Sequence, residues 1–113
     1  MKKFVALIIF AFCLVANAEN YQSQSAKITG FVPYDFQGKE LFFVQIEGNV
    51  AGGCNTTGRF VIDSSQPRFK SVRAAIMASF YAQLPIVVAY ANTCNTYPNS
   101  WDLSYVCVGS IPC

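Results

Sequence analysis

Histidine is absent from the sequence, and charged residues make up only 12% of its 113 positions. The absence of histidine removes the commonest general base and the commonest metal ligand. The few carboxylates are scattered along the chain, so no pair with the spacing of a glycosidase site stands out. No two cysteines form a CxxC pair. We therefore expect no enzyme activity, no metal and no cofactor.

The first eighteen residues have the pattern of a secretory signal peptide. Lys2 and Lys3 precede an apolar run over residues 4–16, and Ala16 and Ala18 form an A-x-A cleavage site. The run is shorter than the roughly 18 to 20 residues that span a bilayer. We predict cleavage after Ala18, a secreted or periplasmic single domain over residues 19–113, and no membrane span.

The mature chain is predicted to be neutral, because removal of Lys2 and Lys3 leaves six basic and six acidic residues. Without a basic field, nucleic acid is not an expected partner. An even number of cysteines in a short exported chain predicts two disulfides, and the residue pattern alone leaves three pairings open. The four cysteines of the mature chain are Cys54, Cys94, Cys107 and Cys113.

Hydrophobic periodicity predicts five strands and one helix. A polar lead-in over residues 19–25 precedes strands at residues 28–36, 40–47, 57–63, 84–90 and 101–108. In the first strand, simple alternation places Ile28, Val32, Tyr34 and Phe36 on one face. The order β-β-β-α-β-β is that of a mainly β fold with one helix, a five-stranded OB-fold-like barrel. The alternative is a helix on an open antiparallel sheet.

The predicted helix follows a cap at Ser64 or Ser65, has Pro67 in its first turn and ends near Gln83, with large apolar residues from Phe69 onward at a 3.6-residue period on one side. Its other side carries small residues. Two interpretations remain open: a helix–helix or subunit contact, or exposed alanines that are simply good helix formers. The small residues are Ser71, Ala74, Ala75, Ala78 and Ala82.

The central segment, residues 68–98, resembles the receptor-binding B subunits of subtilase cytotoxin and of pertussis-like typhoid toxin. The shared features are a helix that begins with an aromatic residue, a Gly-Gln-Pro-type entry into a buried strand, a tyrosine in that strand and a Thr-Tyr-Pro loop. Residues 25–31 and 42–48 also resemble the first two strands of that family. The shared features correspond to Phe69, residues 83–85, Tyr90 and residues 96–98.

The resemblance implies an OB-fold subunit that assembles as a homopentamer, with the helices toward a central pore and glycans on the barrel sides. It also implies a separate catalytic A-type subunit as a partner. Ser25 and Tyr90 match the family positions that contact a terminal sialic acid. With Tyr97, from the Thr-Tyr-Pro loop, they are the candidate glycan-binding residues. Tyr90 and Tyr97 also belong to a predicted uncharged surface set, whose other members are Tyr21, Tyr34, Asn95, Asn99 and Trp101.

The same resemblance implies the disulfide pairing. Cys107 and Cys113 match the small closing loop of the family. Where the family has a cysteine in its second strand this chain has Gln45, which leaves Cys54 to pair with Cys94. The loops after the second and fourth strands leave the same end of the predicted barrel, so these two cysteines can meet.

Two functions of different class follow. The first is a secreted glycan-binding module that resembles a toxin B subunit and forms a ring. The second is a stand-alone secreted or periplasmic binding or inhibitor protein with no toxin role, which shares only the fold. Asn55, Thr56 and Thr57 match a glycosylation sequon, but in this glycine-rich segment we interpret them as ordinary turn residues.

Overall fold

The computed structural model describes residues 21–48 and 51–113, so the predicted signal peptide lies outside the described residues. The predicted order of five strands and one helix is confirmed. The elements are β1 (Gln22–Phe36), β2 (Lys39–Ile46), β3 (Arg59–Asp63), α1 (Phe69–Ala82), β4 (Pro85–Ala91) and β5 (Trp101–Val108).

The five strands close into a barrel in the order β1-β2-β3-β5-β4. Four of the neighbouring pairs are antiparallel, and β3 and β5 run parallel because α1 and β4 lie between them in the chain. The predicted fold class, an OB-fold-like barrel with one helix, is confirmed. The open-sheet alternative is wrong, because β1 pairs with both β2 and β4 and leaves no free edge.

Strand β1 begins earlier than its apolar residues indicate. Most of the polar segment that we predicted as a lead-in pairs with β4, from Gln22 opposite Tyr90 to Lys27 opposite Pro85. This pairing closes the barrel through backbone hydrogen bonds, which place no demand on side-chain polarity. The lead-in prediction is therefore wrong for residues 22–25.

A β-bulge divides β1 into two halves. Ile28 lies opposite Ile46, but Gly30 lies opposite Gln45, so β1 carries one extra residue at this point. An extra residue reverses which side chains point inward. Ile28 is buried in the core, whereas Val32 and Tyr34 are 43% and 49% exposed. The predicted common face for Ile28, Val32 and Tyr34 is therefore wrong.

Apolar residues form two clusters. The main core fills the barrel and includes Phe42, Phe60, Ile86 and Val88, with Phe69, Val72 and Ile76 of α1 packed onto it. A smaller cluster lies on the outside of β2 and β3. It consists of Leu41, Phe43 and Val61, against which Phe36 and Tyr97 pack.

The small-residue side of α1 is largely uncovered by the described residues. Ala74, Ala78 and Ala82 are exposed. Beside them Met77 and Tyr81 are 36% and 72% exposed. Among the described residues no helix is long and apolar enough to cross a membrane.

Two disulfides connect Cys54 with Cys94 and Cys107 with Cys113, which confirms the predicted pairing. The first ties the turn before β3 to the loop between β4 and β5, residues 92–100. The side chain of Asn55 is 1% exposed, and its Oδ1 accepts hydrogen bonds from the backbone N–H groups of Gly58 and Arg59. Asn55 therefore shapes the turn, as its interpretation as a turn residue predicted.

Candidate functional site

A cleft of about 320 Å³ opens at one end of the barrel, where β3 and β5 separate. These strands pair only through Phe60 with Trp101 and Val61 with Asp102. Past these pairs the strands diverge, and the space between them forms what we call the end cleft. It is lined by Tyr21, Ile62, Gln66, Arg68, Ala91, Thr93, Asn95, Thr96, Asp102, Leu103 and Ser104.

Asp102 organises one wall of the end cleft. Its carboxylate accepts hydrogen bonds from the backbone N–H groups of Asn95, at 3.0 Å, and Thr96, at 2.9 Å, and from the hydroxyl of Thr93. Its own backbone N–H donates to the carbonyl of Thr93 at 2.9 Å. These bonds hold the loop against β5, so the polar groups of this wall are fixed before any ligand arrives.

The remaining walls offer an aromatic ring and a cation. Tyr21 is 54% exposed. Arg68, at the N-terminal end of α1, is exposed, and the one ion pair among residues 21–48 and 51–113 joins Arg73 to Glu40 instead. Hydroxyl, amide and guanidinium groups that converge on one hollow can hydrogen-bond a polyhydroxylated ligand from several directions.

A second hollow, which we call the outer groove, lies on the outside of β1 and β2. It consists of two adjoining spaces of about 240 and 250 Å³ that share Val32, Phe43 and Arg59. The guanidinium carbon of Arg59 lies 4.3 Å from the centre of the Phe43 ring. Tyr34 and Tyr97 form one end of the groove, and their rings meet edge to face at 6.2 Å.

The three candidate glycan-binding residues lie in three different places. Ser25 is exposed and pairs with Val87, whereas Tyr90 pairs with Gln22 and points into the barrel. Because residues 87 and 90 of β4 face opposite sides of the sheet, Ser25 and Tyr90 do so too. Tyr97 lines the outer groove. Contact of these three residues with a glycan is untested and stays a prediction.

The predicted surface set is partly correct. Tyr21 and Tyr34 are exposed, but Tyr90 and Trp101 are only 1% and 7% exposed. These two rings stack with centres 5.0 Å apart, and Tyr90 also packs against Phe60 at 4.8 Å. The surface placement of Tyr90 and Trp101 is therefore wrong, because together they close one end of the core.

Sequence reasoning missed six polar residues of the end cleft, which are Gln66, Arg68, Thr93, Thr96, Asp102 and Ser104. Gln66 and Arg68 lie between β3 and α1, and Thr93 and Asp102 lie at facing ends of β4 and β5. Polar residues that follow or begin neighbouring strands meet at one edge of a barrel, and this signal could have identified them. Among the described residues no group of three or more cysteine, aspartate or glutamate side chains could hold a metal ion.

No protein-family model and no curated protein matches the sequence. Among solved structures, the chain is similar to the cholera toxin-like B-subunit from Citrobacter freundii, with a TM-score of 0.57 and 14% identity. The match covers 88% of this chain and 95% of that chain. The fold is therefore a toxin B-subunit-like fold, and the narrower resemblance to subtilase cytotoxin and typhoid toxin stays a prediction.

Proposed function

We propose that the chain is an exported glycan-binding module, the receptor-binding subunit of a toxin-like assembly. The end cleft is the observation that carries this proposal, because it joins an exposed tyrosine, amides, hydroxyls and a guanidinium on a toxin B-subunit-like barrel. Two disulfides fit a protein of an oxidising compartment. A toxin B-subunit-like fold is also in keeping with the expectation that the chain is not an enzyme.

The cleft fits a saccharide because it offers two kinds of contact. Tyr21 presents an apolar ring with a hydroxyl at its tip, so it can lie against the C–H face of a sugar and still donate a hydrogen bond. Arg68 and Asn95 add donors that a sugar hydroxyl can meet. Since hydrogen bonds to Asp102 already fix the loop that contains Asn95, little ordering of this loop is needed on binding.

Replacement of Tyr21 by alanine is expected to weaken glycan binding about ten-fold or more, the effect of removing an aromatic anchor from a binding site. A glycan array with the mature protein would first identify the best ligand. Calorimetric titration of that ligand into the wild type and into Tyr21→Ala then measures the change. Tyr21→Phe, which keeps the ring, should retain most of the affinity.

The matched control is Tyr34→Ala, which removes a tyrosine of similar exposure from the outer groove instead. It should leave binding at the end cleft unchanged. Equal losses in Tyr21→Ala and Tyr34→Ala would contradict the assignment of the site. A mature protein that binds nothing on the array and remains strictly monomeric would instead support the stand-alone binding or inhibitor protein.

The proposed assembly is a ring of identical subunits held together in part by α1. The uncovered side of this helix combines small residues, which permit close approach, with the exposed apolar side chains of Met77 and Tyr81. A side of this kind matches a subunit contact better than a solvated surface, which would carry more charge. A catalytic A-type partner stays a prediction of the resemblance.

Native mass spectrometry of the mature protein should therefore give the mass of a ring, five subunits by the resemblance. Ala78→Glu should convert the ring to monomers, because it places a charge in the middle of the helix contact. Lys39→Glu, which places an acidic residue on β2 instead of on α1, is the control and should leave the assembly intact. A ring that survives Ala78→Glu would exclude this face of α1 from the interface.

A further inference from the structure

Arg59 of the outer groove is held in place by neutral groups. Its Nε donates to Thr57 Oγ1 at 3.1 Å, and its Nη2 donates to Asn99 Oδ1 at 3.0 Å. Its guanidinium group also lies over the ring of Phe43. Thr57 is itself fixed, because its hydroxyl donates to the carbonyl of Asn99 at 2.9 Å. These contacts therefore hold the guanidinium group in one orientation, and none of the groups that hold it is a carboxylate.

Its positive charge is not neutralised by the surrounding groove. No acidic residue lines either space of the outer groove, and the ion pair between Arg73 and Glu40 is the only one within the described part of the chain. A guanidinium has five N–H donors. The two bonds to Thr57 and Asn99 leave the Nη1 hydrogens and one Nη2 hydrogen, which form the edge that binds a carboxylate with two parallel hydrogen bonds.

The rest of the groove is mainly apolar, and Gln45 adds an amide side chain between Gly30 and Arg59. Phe43 forms its floor, and Val32 and Tyr34 form an exposed wall. Gly30 leaves one side open, since a Cβ atom at this position would meet no atom within 4 Å. The adjacent bulge leaves Thr29 without a register partner on β2. The regular pairing of β1 with β2 is therefore interrupted at this side of the groove.

We propose that the outer groove binds the C-terminus of a polypeptide partner whose last residue is apolar. Its carboxylate pairs with the open edge of Arg59, its last side chain lies on Phe43 between Val32 and Tyr34, and its backbone leaves past Gly30. A free sugar fits less well, because hydroxyls that lie against Phe43 and Val32 would lose hydrogen bonds to water. This site is separate from the end cleft and does not depend on glycan binding there.

The test is calorimetric titration with the tripeptide N-acetyl-Ala-Ala-Phe, whose C-terminal phenylalanine carries a free carboxylate. The same peptide with a C-terminal amide should bind at least about ten-fold more weakly, as should the free acid to Arg59→Gln, because each loses a charge-assisted bidentate pair. Arg59→Lys should bind with intermediate affinity, since it keeps the charge without the planar fork. If Arg59→Gln does not fold, Tyr34→Ala is the second test. It changes a side chain of the exposed wall and should also weaken peptide binding.

Arg68→Gln is the matched control, because it removes a guanidinium from the end cleft and should leave peptide affinity unchanged. Equal affinity for acid and amide, or an equal loss in Arg68→Gln, would overturn the proposal. Two further results that depend on Arg59 would also overturn it. Binding of sialyllactose but not of the peptide would assign an acidic glycan to the groove. Binding of 3-phenylpropionate as tightly as the peptide would assign a small apolar acid.

Discussion

Replacement of Cys54 and Cys94 together by alanine is expected to lower the free energy of unfolding by about 4 kcal/mol, and replacement of Cys107 and Cys113 by about 2 kcal/mol. The bonded cysteines are 40 residues apart in the first pair and 6 residues apart in the second. The longer closed loop restricts the unfolded chain more, so its disulfide stabilises the fold more. Urea unfolding of the wild type and both double variants measures the two differences.

Loss of the first disulfide should also affect both candidate sites. The loop of residues 92–100 supplies Thr93 and Asn95 to the end cleft and Tyr97 to the outer groove. Without the bond to Cys54 this loop is anchored by hydrogen bonds, such as those to Asp102 and from Thr57, and by the packing of Tyr97 on Phe43. The Cys107/Cys113 variant should retain ligand binding, and an equal loss of stability in both variants would contradict the loop-closure argument.

Much of the fold could be predicted because it depends on periodicity. Residues 40–46 alternate over most of β2, and the structure places Phe42 and Val44 in the barrel and Leu41 and Phe43 outside it. The change from a period of two to one of 3.6 after residue 63 similarly located α1. The predicted start of the helix is wrong, because Ser64, Ser65 and Pro67 precede it and Arg68 occupies the N-cap. These patterns reflect burial on one side of an element, which sequence records directly.

The outer groove could not be predicted because it depends on one extra residue. The bulge near Thr29 changes neither the composition nor the local alternation of β1, yet it turns Val32 and Tyr34 outward. Arg59 is likewise distant in sequence from Asn99, the residue that orients it. A site assembled by register and by long-range hydrogen bonds leaves no periodic signal.

The end cleft illustrates a different limit. Residues 84–90 form a continuous apolar run, which does not indicate which side chains point inward. Only the resemblance placed Tyr90 at a ligand site, and the structure places its neighbour Ala91 on the cleft wall while Tyr90 is buried. None of the three predicted glycan-binding residues, Ser25, Tyr90 and Tyr97, lines the end cleft.

Replacement of Tyr90 by alanine is expected to lower the free energy of unfolding by about 3 to 5 kcal/mol, the usual cost of removing a large aromatic side chain from a core. The ring is 1% exposed and is held between Trp101 and Phe60. Tyr90→Phe should cost only about 1 kcal/mol, because it removes one hydrogen bond, donated by Gln24 Nε2 to the phenol oxygen at 3.2 Å. Thermal and urea unfolding of both variants measure these costs.

Tyr90→Phe also separates a structural role from ligand contact, because it should remain folded. If the phenol serves only Gln24 and the core, the variant should bind the array-selected glycan within about two-fold of the wild type, a change of less than 0.5 kcal/mol. Tyr21→Ala should lose that binding without a comparable loss of stability, because its ring is exposed. A stable Tyr90→Phe variant that loses glycan affinity ten-fold would instead establish direct contact by the hydroxyl, and would require the end of β4 to open when ligand binds.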